Sequence, residues 1–188
     1  RLRRLGNAAL RALGYEIHKT SVFTVNGIRY EPDPCSVGWT PQGEMTAEGA
    51  IQMITQRGLR DLRILDMCCG IGIIGLSIFS RLESQSIVKE VAFADISIFN
   101  LHSLDRTVIM NNIDPAPGNR FRRWLSDGLN NIPRGERFDL IVSNPPHHLP
   151  TGHAADHMSP SSLGTYDSKW GFHQSFYAQC HDYLTPRG

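Results

Sequence analysis

The chain has 188 residues, a length that one domain can fill with a full hydrophobic core. Its formal net charge of +1 argues against a surface built broadly for a polyanion, although a local basic patch stays compatible with it. The sequence contains no apolar run long enough to span a bilayer and no signal-peptide core. We therefore predict a cytoplasmic protein that does not enter membranes.

The N-terminal segment, residues 1–45, predicts an extension ahead of the main domain. Residues 1–14 favour a helix in which leucines alternate with arginines. Those arginines could contact phosphates, but such a run more often forms a solvated helix face. Residues 15–30 alternate polar and apolar side chains around Asn26-Gly27, which is typical of a β-hairpin.

An irregular connector follows the hairpin and includes Trp39. The indole could help to close a ligand site, or it could simply pack beneath a surface loop. A helix is expected to open at Thr46, with Glu48 near its start. This position begins the second predicted domain, residues 46–188.

A glycine turn joins the next predicted strand and helix. The strand ends near Asp66, the turn contains Gly70 and Gly72, and helical spacing resumes through Leu76. Such a turn lets a ligand approach backbone N–H groups at a helix N-terminus. The following strand ends in Asp95, where doubly wound folds place a carboxylate that binds a ribose diol.

A second buried strand, residues 140–142, leads into the tetrad Asn144-Pro145-Pro146-His147. The two prolines end the strand and hold the backbone before them extended. The side-chain carbonyl of Asn144 and the backbone carbonyl of Pro145 can then accept the two hydrogens of an NH2 group. His147 could stack on a planar acceptor or take its proton, and both roles stay open.

Taken together, these motifs resemble the class I S-adenosylmethionine-dependent methyltransferases over roughly residues 40–188. Within that class the chain is similar to the release-factor glutamine N5-methyltransferase branch, whose tetrad is Asn-Pro-Pro-Tyr. The resemblance implies an α/β fold with a Rossmann-like, doubly wound, mostly parallel sheet. The last strands of that sheet are expected to follow the turn at residues 184–188.

The resemblance also implies roles for individual positions. The glycine turn would surround the methionine part of the cofactor, Asp95 would bind its ribose, and Ser126-Asp127 would lie beside its adenine. Thr46 would approach the cofactor carboxylate. The implied S-adenosylmethionine-binding residues are Thr46, Asp66, Cys69, Gly70, Gly72, Asp95, Ile96, Ser126, Asp127 and Asn144. The implied catalytic residues are Asn144, Pro145, Pro146 and His147.

The reaction expected from this resemblance is direct methyl transfer to a nitrogen. The favoured acceptor is an amide, amine or guanidine of a small molecule or a protein side chain. An exocyclic base nitrogen in RNA or DNA is the alternative, which would require a basic groove and a flipped-base pocket. A catalytically inactive binding domain is the non-enzyme alternative. The oligomeric state does not follow from the sequence.

The remaining candidate features are cysteines, histidines and the last predicted helix. Cys68 and Cys69 belong to the glycine turn, where packing is favoured over a metal or redox role. The loop after the tetrad contains His153 and His157 and could form a substrate lid, and we predict no metal there. Residues 170–184 predict an amphipathic helix with five side chains directed inward, namely Phe172, Phe176, Tyr177, Cys180 and Leu184.

Overall fold

The computed structural model describes residues 6–113, 121–150 and 162–188. Its strands are β1 (Phe23–Val25), β2 (Ile28–Tyr30), β3 (Leu62–Met67), β4 (Val88–Asp95), β5 (Phe121–Leu125) and β6 (Leu140–Ser143). Its α-helices are α1 (Asn7–Ala12), α2 (Pro41–Gln56), α3 (Ile73–Leu82), α4 (Ile98–Met110) and α5 (Gly171–Gln179). Short 3-10 segments lie at Glu83–Gln85, Ser162–Gly164, Ser168–Trp170 and Cys180–Tyr183.

Four strands form a parallel sheet in the order β5-β4-β3-β6. Met67 of β3 pairs with Ala94 of β4 on one side and with Ser143 of β6 on the other. The order therefore reverses between β3 and β6, which is where doubly wound sheets bind their ligands. The predicted Rossmann-like architecture is confirmed.

The sheet is covered on both faces. Ile64, Val91 and Phe93 pack with α2, α3 and α4, whereas Leu65 and Ala92 pack on the opposite face, towards the C-terminal segment. This alternation follows from the two-residue period of a strand. Burial of each large apolar side chain contributes about 1.5–3 kcal/mol, so the central strands hold both layers together.

The hairpin prediction is confirmed, but over a shorter range than expected. Strands β1 and β2 pair in antiparallel register around Asn26 and Gly27, whose φ angles are 49° and 79°. Two consecutive left-handed residues are what a tight hairpin turn requires. The strands begin only at Phe23, so the hairpin occupies the second half of residues 15–30.

The predicted start of helix α2 is wrong. The helix begins at Pro41, so Thr46 lies inside it, and the predicted domain boundary falls within one continuous helix. Thr40 is the N-cap, with an extended backbone and a hydroxyl that accepts the Gly43 N–H at 3.2 Å. Proline at the first helical position costs no intrahelical hydrogen bond, which explains the earlier start.

The C-terminal helix is also shorter than predicted. The α-helical part ends at Gln179, and Tyr177 is 70% exposed rather than directed inward. Phe172 and Phe176 pack against the buried cluster as expected. Leu184 then forms a parallel bridge to Phe138, next to the start of β6.

Candidate active site

A cleft of about 1240 Å³ opens at the carboxyl edge of the sheet, where the strands deliver their terminal side chains. Its wall combines most of residues 15–25, the connector before α2, the glycine turn, the segments after β4 and β5, part of the tetrad and the chain from residue 163 to the start of α5. The predicted site residues that line it are Cys69, Gly70, Asp95, Ile96, Ser126, Asp127, Asn144 and Pro146. A cleft at this edge is the usual location of a ligand site in this architecture.

The glycine turn is fixed by steric constraints and by Asp66. Gly72 has a φ of 87°, and a Cβ there would lie 2.5 Å from Leu104 Cδ1, so the position requires glycine. Asp66 is fully buried, and its Oδ2 accepts the Gly75 N–H at 2.8 Å. Its Oδ1 has no partner among the described residues. Burial, with a smaller contribution from the nearby Asp95, raises the pKa of Asp66 to about 7 against the lowering effect of the Gly75 hydrogen bond.

Asp95 connects the ends of two strands. Its Oδ2 accepts the Gly70 N–H at 2.8 Å, while Oδ1 accepts the Ser97 N–H at 2.8 Å and the Asn100 Nδ2 at 2.9 Å. Burial raises the pKa of Asp95, although these three hydrogen bonds act in the opposite direction. The bonds hold the carboxylate in the wall of the cleft.

The segment after β5 forms the next part of the wall. Ser126 is buried, and its hydroxyl donates to the Gly128 carbonyl at 2.7 Å and accepts the Asn131 N–H at 3.0 Å. Ser126 therefore shapes the turn that carries Asp127 into the cleft wall. Ile96 is 45% exposed in the same region, so an apolar surface is available to a planar ligand.

Only part of the tetrad lines the cleft. Asn144 and Pro146 line it, and Asn144 Nδ2 donates to Thr40 Oγ1 at 3.3 Å. The exposed His147 ring lies outside the lining, with Nδ1 3.1 Å from the Pro145 carbonyl oxygen. Its centroid is 4.4 Å from that of His148, so the two imidazoles are in contact.

Thr40 and Asn100 are site residues that the sequence analysis did not identify. Thr40 combines the helix cap with the contact to Asn144, whereas the Thr46 hydroxyl donates to the Gln42 carbonyl at 2.8 Å and lies outside the lining. A Thr-Pro pair ahead of helical spacing is a known cap signal, and it is visible in the sequence. No local pattern marks Asn100, because its partners lie on other elements.

Two further predictions concern chemistry beside the cleft. His153 and His157, and with them most of the predicted lid, lie outside the described residues. Within residues 6–113, 121–150 and 162–188, no group of three His, Cys, Asp or Glu side chains could hold a metal ion. The described helices also include none with the length and hydrophobicity needed to cross a membrane.

This combination of a parallel sheet, a glycine turn at the switch point and a carboxylate at the end of β4 is that of a class I methyltransferase fold. The family model described as "Methyltransferase small domain" matches residues 48–159, more than half of the chain. The chain belongs to that family, which uses S-adenosylmethionine. The resemblance stated from the motifs is therefore confirmed.

The relatives include enzymes with two kinds of acceptor. The chain is 38% identical over 86 residues to the ribosomal RNA small subunit methyltransferase C of Actinobacillus pleuropneumoniae, covering 46% of this chain and 22% of that protein. It is 32% identical over 108 residues to the release factor glutamine methyltransferase of Clostridium botulinum, covering 57% and 35%. The chain thus spans about a third or less of the length of these relatives.

Solved structures share the fold at lower identity. The 16S rRNA N2 methyltransferase of T. thermophilus, in complex with AdoMet and guanosine, superposes with a TM-score of 0.62 at 19% identity and covers 90% of this chain and 40% of its own. A SAM-dependent methyltransferase from Agrobacterium tumefaciens gives the same TM-score at 16% identity, with coverages of 91% and 51%. Both similarities concern the fold.

Proposed function

We propose that this protein transfers a methyl group from S-adenosylmethionine to the nitrogen of a planar or amino NH2 group. The observation that carries the proposal is the orientation of Asn144. Asn144 lines the cleft, and because its Nδ2 donates to Thr40, Oδ1 is the amide atom left to act as an acceptor. An oxygen held in this way can bind an N–H of the acceptor and orient its lone pair.

The residues of the cleft fit the cofactor. Asp95 presents a carboxylate in the wall, and Asp66, which lies behind the glycine turn and outside the lining, has a buried oxygen without a described partner. Asp95 would hold the ribose, and Asp127 with Ile96 would flank the adenine. When bound, the cofactor supplies an electrophilic methyl group.

The chain's own groups then have two tasks. Asn144 Oδ1 would stabilise the positive charge that grows on the acceptor nitrogen as the new N–C bond forms. The Pro145 carbonyl would accept a second hydrogen through the lone pair that His147 Nδ1 does not occupy, although Pro145 itself is not among the residues that line the cleft. The bond from the methyl carbon to the sulfonium sulfur would break as the N–C bond forms, with its electron pair going to sulfur, and the nitrogen would then release one proton to water.

The charge of the cleft favours a neutral or cationic acceptor on a small molecule or a protein. In the part of the wall that is described, the one lysine or arginine is Lys19. The acidic side chains of that wall are Glu16, Glu44, Asp95, Asp127 and Asp167. A polyanion would meet unfavourable potential there.

The test compares Asn144→Ala with the wild-type protein, using radiolabelled S-adenosylmethionine and a panel of glutamine peptides, guanidines and amines. We expect methyl transfer to fall about a hundredfold while cofactor affinity stays nearly unchanged, because Asn144 acts on the acceptor. Asn144→Asp is the matched control, since it keeps the size of the side chain and an oxygen. Equal turnover by Asn144→Ala would refute the role given to this residue.

Methylation of a base nitrogen in RNA is the second candidate. It is supported by Trp39, which lines the cleft at 45% exposure and could stack on a base, and by the rRNA methyltransferases among the relatives. Guanosine-containing RNA added to the same panel distinguishes the two. Transfer to RNA with none to amides or amines would favour the second candidate.

A further inference from the structure

Helix α4 binds the backbone of the connector through a row of polar side chains. Arg106 Nη2 donates to the Glu31 carbonyl at 2.7 Å, and Ser103 Oγ accepts the Asp33 N–H at 2.8 Å. Asn100 Oδ1 accepts the Val37 N–H at 2.9 Å. Residues three apart lie on one face of a helix, so Asn100, Ser103 and Arg106 form a single row, which we call the α4 row.

Asn100 differs from the other members of the α4 row because it has a second partner in the cofactor site. Its Nδ2 donates to Asp95 Oδ1 at 2.9 Å, while its Oδ1 holds Val37. Asn100 is 4% exposed, so both bonds are shielded from water. Ser103 is also buried, but its hydroxyl donates to the Phe99 carbonyl within its own helix.

The segment held by Asn100 forms part of the cleft wall. Val37, Gly38 and Trp39 line the cleft, and Val37 packs so closely on the glycine turn that a Cβ at Gly70 would lie 2.8 Å from Val37 Cγ2. The connector and the Asp95 carboxylate therefore belong to the wall of the same cleft. Asn100 joins these two surfaces through one amide group.

We propose that Asn100 is a positioning residue that links docking of residues 31–40 to cofactor binding at Asp95. Asn100 holds the carboxylate towards the cleft and, through the same amide, holds the connector against it. Thermodynamic linkage is reciprocal. If docking of the connector strengthens cofactor binding by a certain factor, bound cofactor must strengthen the docking by the same factor.

The experiment measures both sides of this linkage with S-adenosylhomocysteine, the unreactive product. Calorimetric titration gives its affinity for the wild type, Asn100→Ala and Ser103→Ala. Hydrogen exchange gives the protection of residues 31–40 with and without the ligand. We expect Asn100→Ala to bind about tenfold more weakly, the loss typical of one hydrogen bond to a charged group. Ser103→Ala, the matched control, removes a bond to the same segment without contacting Asp95 and should lose less affinity.

The exchange data separate positioning from a purely structural role. In the wild type, the ligand should increase the protection of residues 31–40, and Ser103→Ala should keep that response. Asn100→Ala should lose it. A third variant, Asn100→Asp, keeps the acceptor for the Val37 N–H but replaces the donor to Asp95, and should bind weakly even if Asn100→Ala is unstable. Unchanged protection in the ligand-bound wild type, or equal affinities for Asn100→Ala and Ser103→Ala, would overturn the proposal.

Discussion

Thr40 supports Asn144 with an oxygen that also caps a helix. Replacing Thr40 by Ala removes the acceptor for Gly43 N–H and for Asn144 Nδ2 together. We expect a loss of about 1 kcal/mol in unfolding free energy from the missing cap. Methyl transfer should fall as well, because the Asn144 amide is then free to rotate. Chemical denaturation and methyl-transfer assays measure the two effects separately.

Thr46→Ala provides the control for Thr40→Ala. The Thr46 hydroxyl donates to the Gln42 carbonyl in the same helix, so its loss should leave methyl transfer near the wild-type rate. Thr40→Ser should restore most of the activity, since serine keeps the oxygen. A large effect of Thr46→Ala with none of Thr40→Ala would support the role that the family resemblance implied for Thr46.

Asp66 makes stability depend on pH in a direction that is unusual for a carboxylate. Its pKa is raised to about 7 by burial, from about 3.9 in an unfolded chain. The folded protein therefore binds the proton more tightly, and this group's contribution to stability falls as pH rises from about 4 to 7. Each pKa unit corresponds to about 1.4 kcal/mol.

The variant Asp66→Asn removes this titration while keeping an oxygen for the Gly75 N–H. Between about pH 4 and 7, the unfolding free energy of the variant should rise progressively relative to that of the wild type. Above about pH 7 the difference between the two unfolding free energies should be constant. Urea unfolding of both proteins between pH 4.5 and 8 measures the difference. Parallel pH profiles would contradict the raised pKa.

At the scale of elements, the connection from β3 to α3 was the most predictable. A short apolar strand, two glycines and helical spacing all indicate the same local structure, and the structure contains it. The start of helix α2 was less predictable, because the sequence offers two possible N-caps. One is Thr40, which precedes Pro41, and the other is Thr46. Tyr177 points outward because of the way in which α5 packs on the sheet. The periodicity of the local sequence does not predict that packing.

Two glycines with positive φ test what the β3–α3 connection requires. Gly72 has a φ of 87° and lies against Leu104, whereas Gly58 has a φ of 62° and would place a Cβ in open space. Gly58→Ala should cost about 1–2 kcal/mol, the penalty of the left-handed backbone alone. Gly72→Ala should cost about 1–3 kcal/mol more, because the added methyl overpacks the helix interface. Equal losses in thermal denaturation would mean that Leu104 relaxes freely.

For the molecule as a whole, the sequence predicted the class of fold and the edge of the sheet at which the cleft opens. Strand ends near Asp66, Asp95 and Asn144 are visible as apolar runs followed by polar residues. The relation between the connector and α4 was not predictable in the same way. It depends on side chains such as Asn100 that bind backbone groups far away in sequence. Nearly every residue has a backbone N–H, so the sequence does not indicate which of them a given side chain will bind.

The amino edge of the sheet, opposite the cleft, is held by a cluster of four charged side chains. Glu136 accepts from Arg122 at 2.5 and 2.8 Å and from Arg63 at 2.8 Å, and Glu90 lies 3.3 Å from Arg63. Burial alone would raise the pKa of Glu136, but the bonds from Arg122 and Arg63 outweigh it, and the pKa is lowered. The stability that this carboxylate contributes is therefore lost as pH falls through its folded pKa.

This separation of the two edges predicts that stability and cofactor binding can be changed independently. Glu136→Ala should lower the unfolding free energy by about 1.5–3 kcal/mol, because its side chain is 14% exposed and its loss removes the nearest carboxylate partner of Arg122 and Arg63, which keep only the longer pairs with Glu90 at 3.6 and 3.3 Å. Glu48→Ala breaks an exposed pair with Arg81 and should change stability by less than about 0.5 kcal/mol. Both variants should bind S-adenosylhomocysteine like the wild type, as measured by calorimetry at a temperature where each is fully folded. A loss of affinity confined to Glu136→Ala would mean that the amino edge is coupled to the cleft through the strands, since Glu136 itself does not line it.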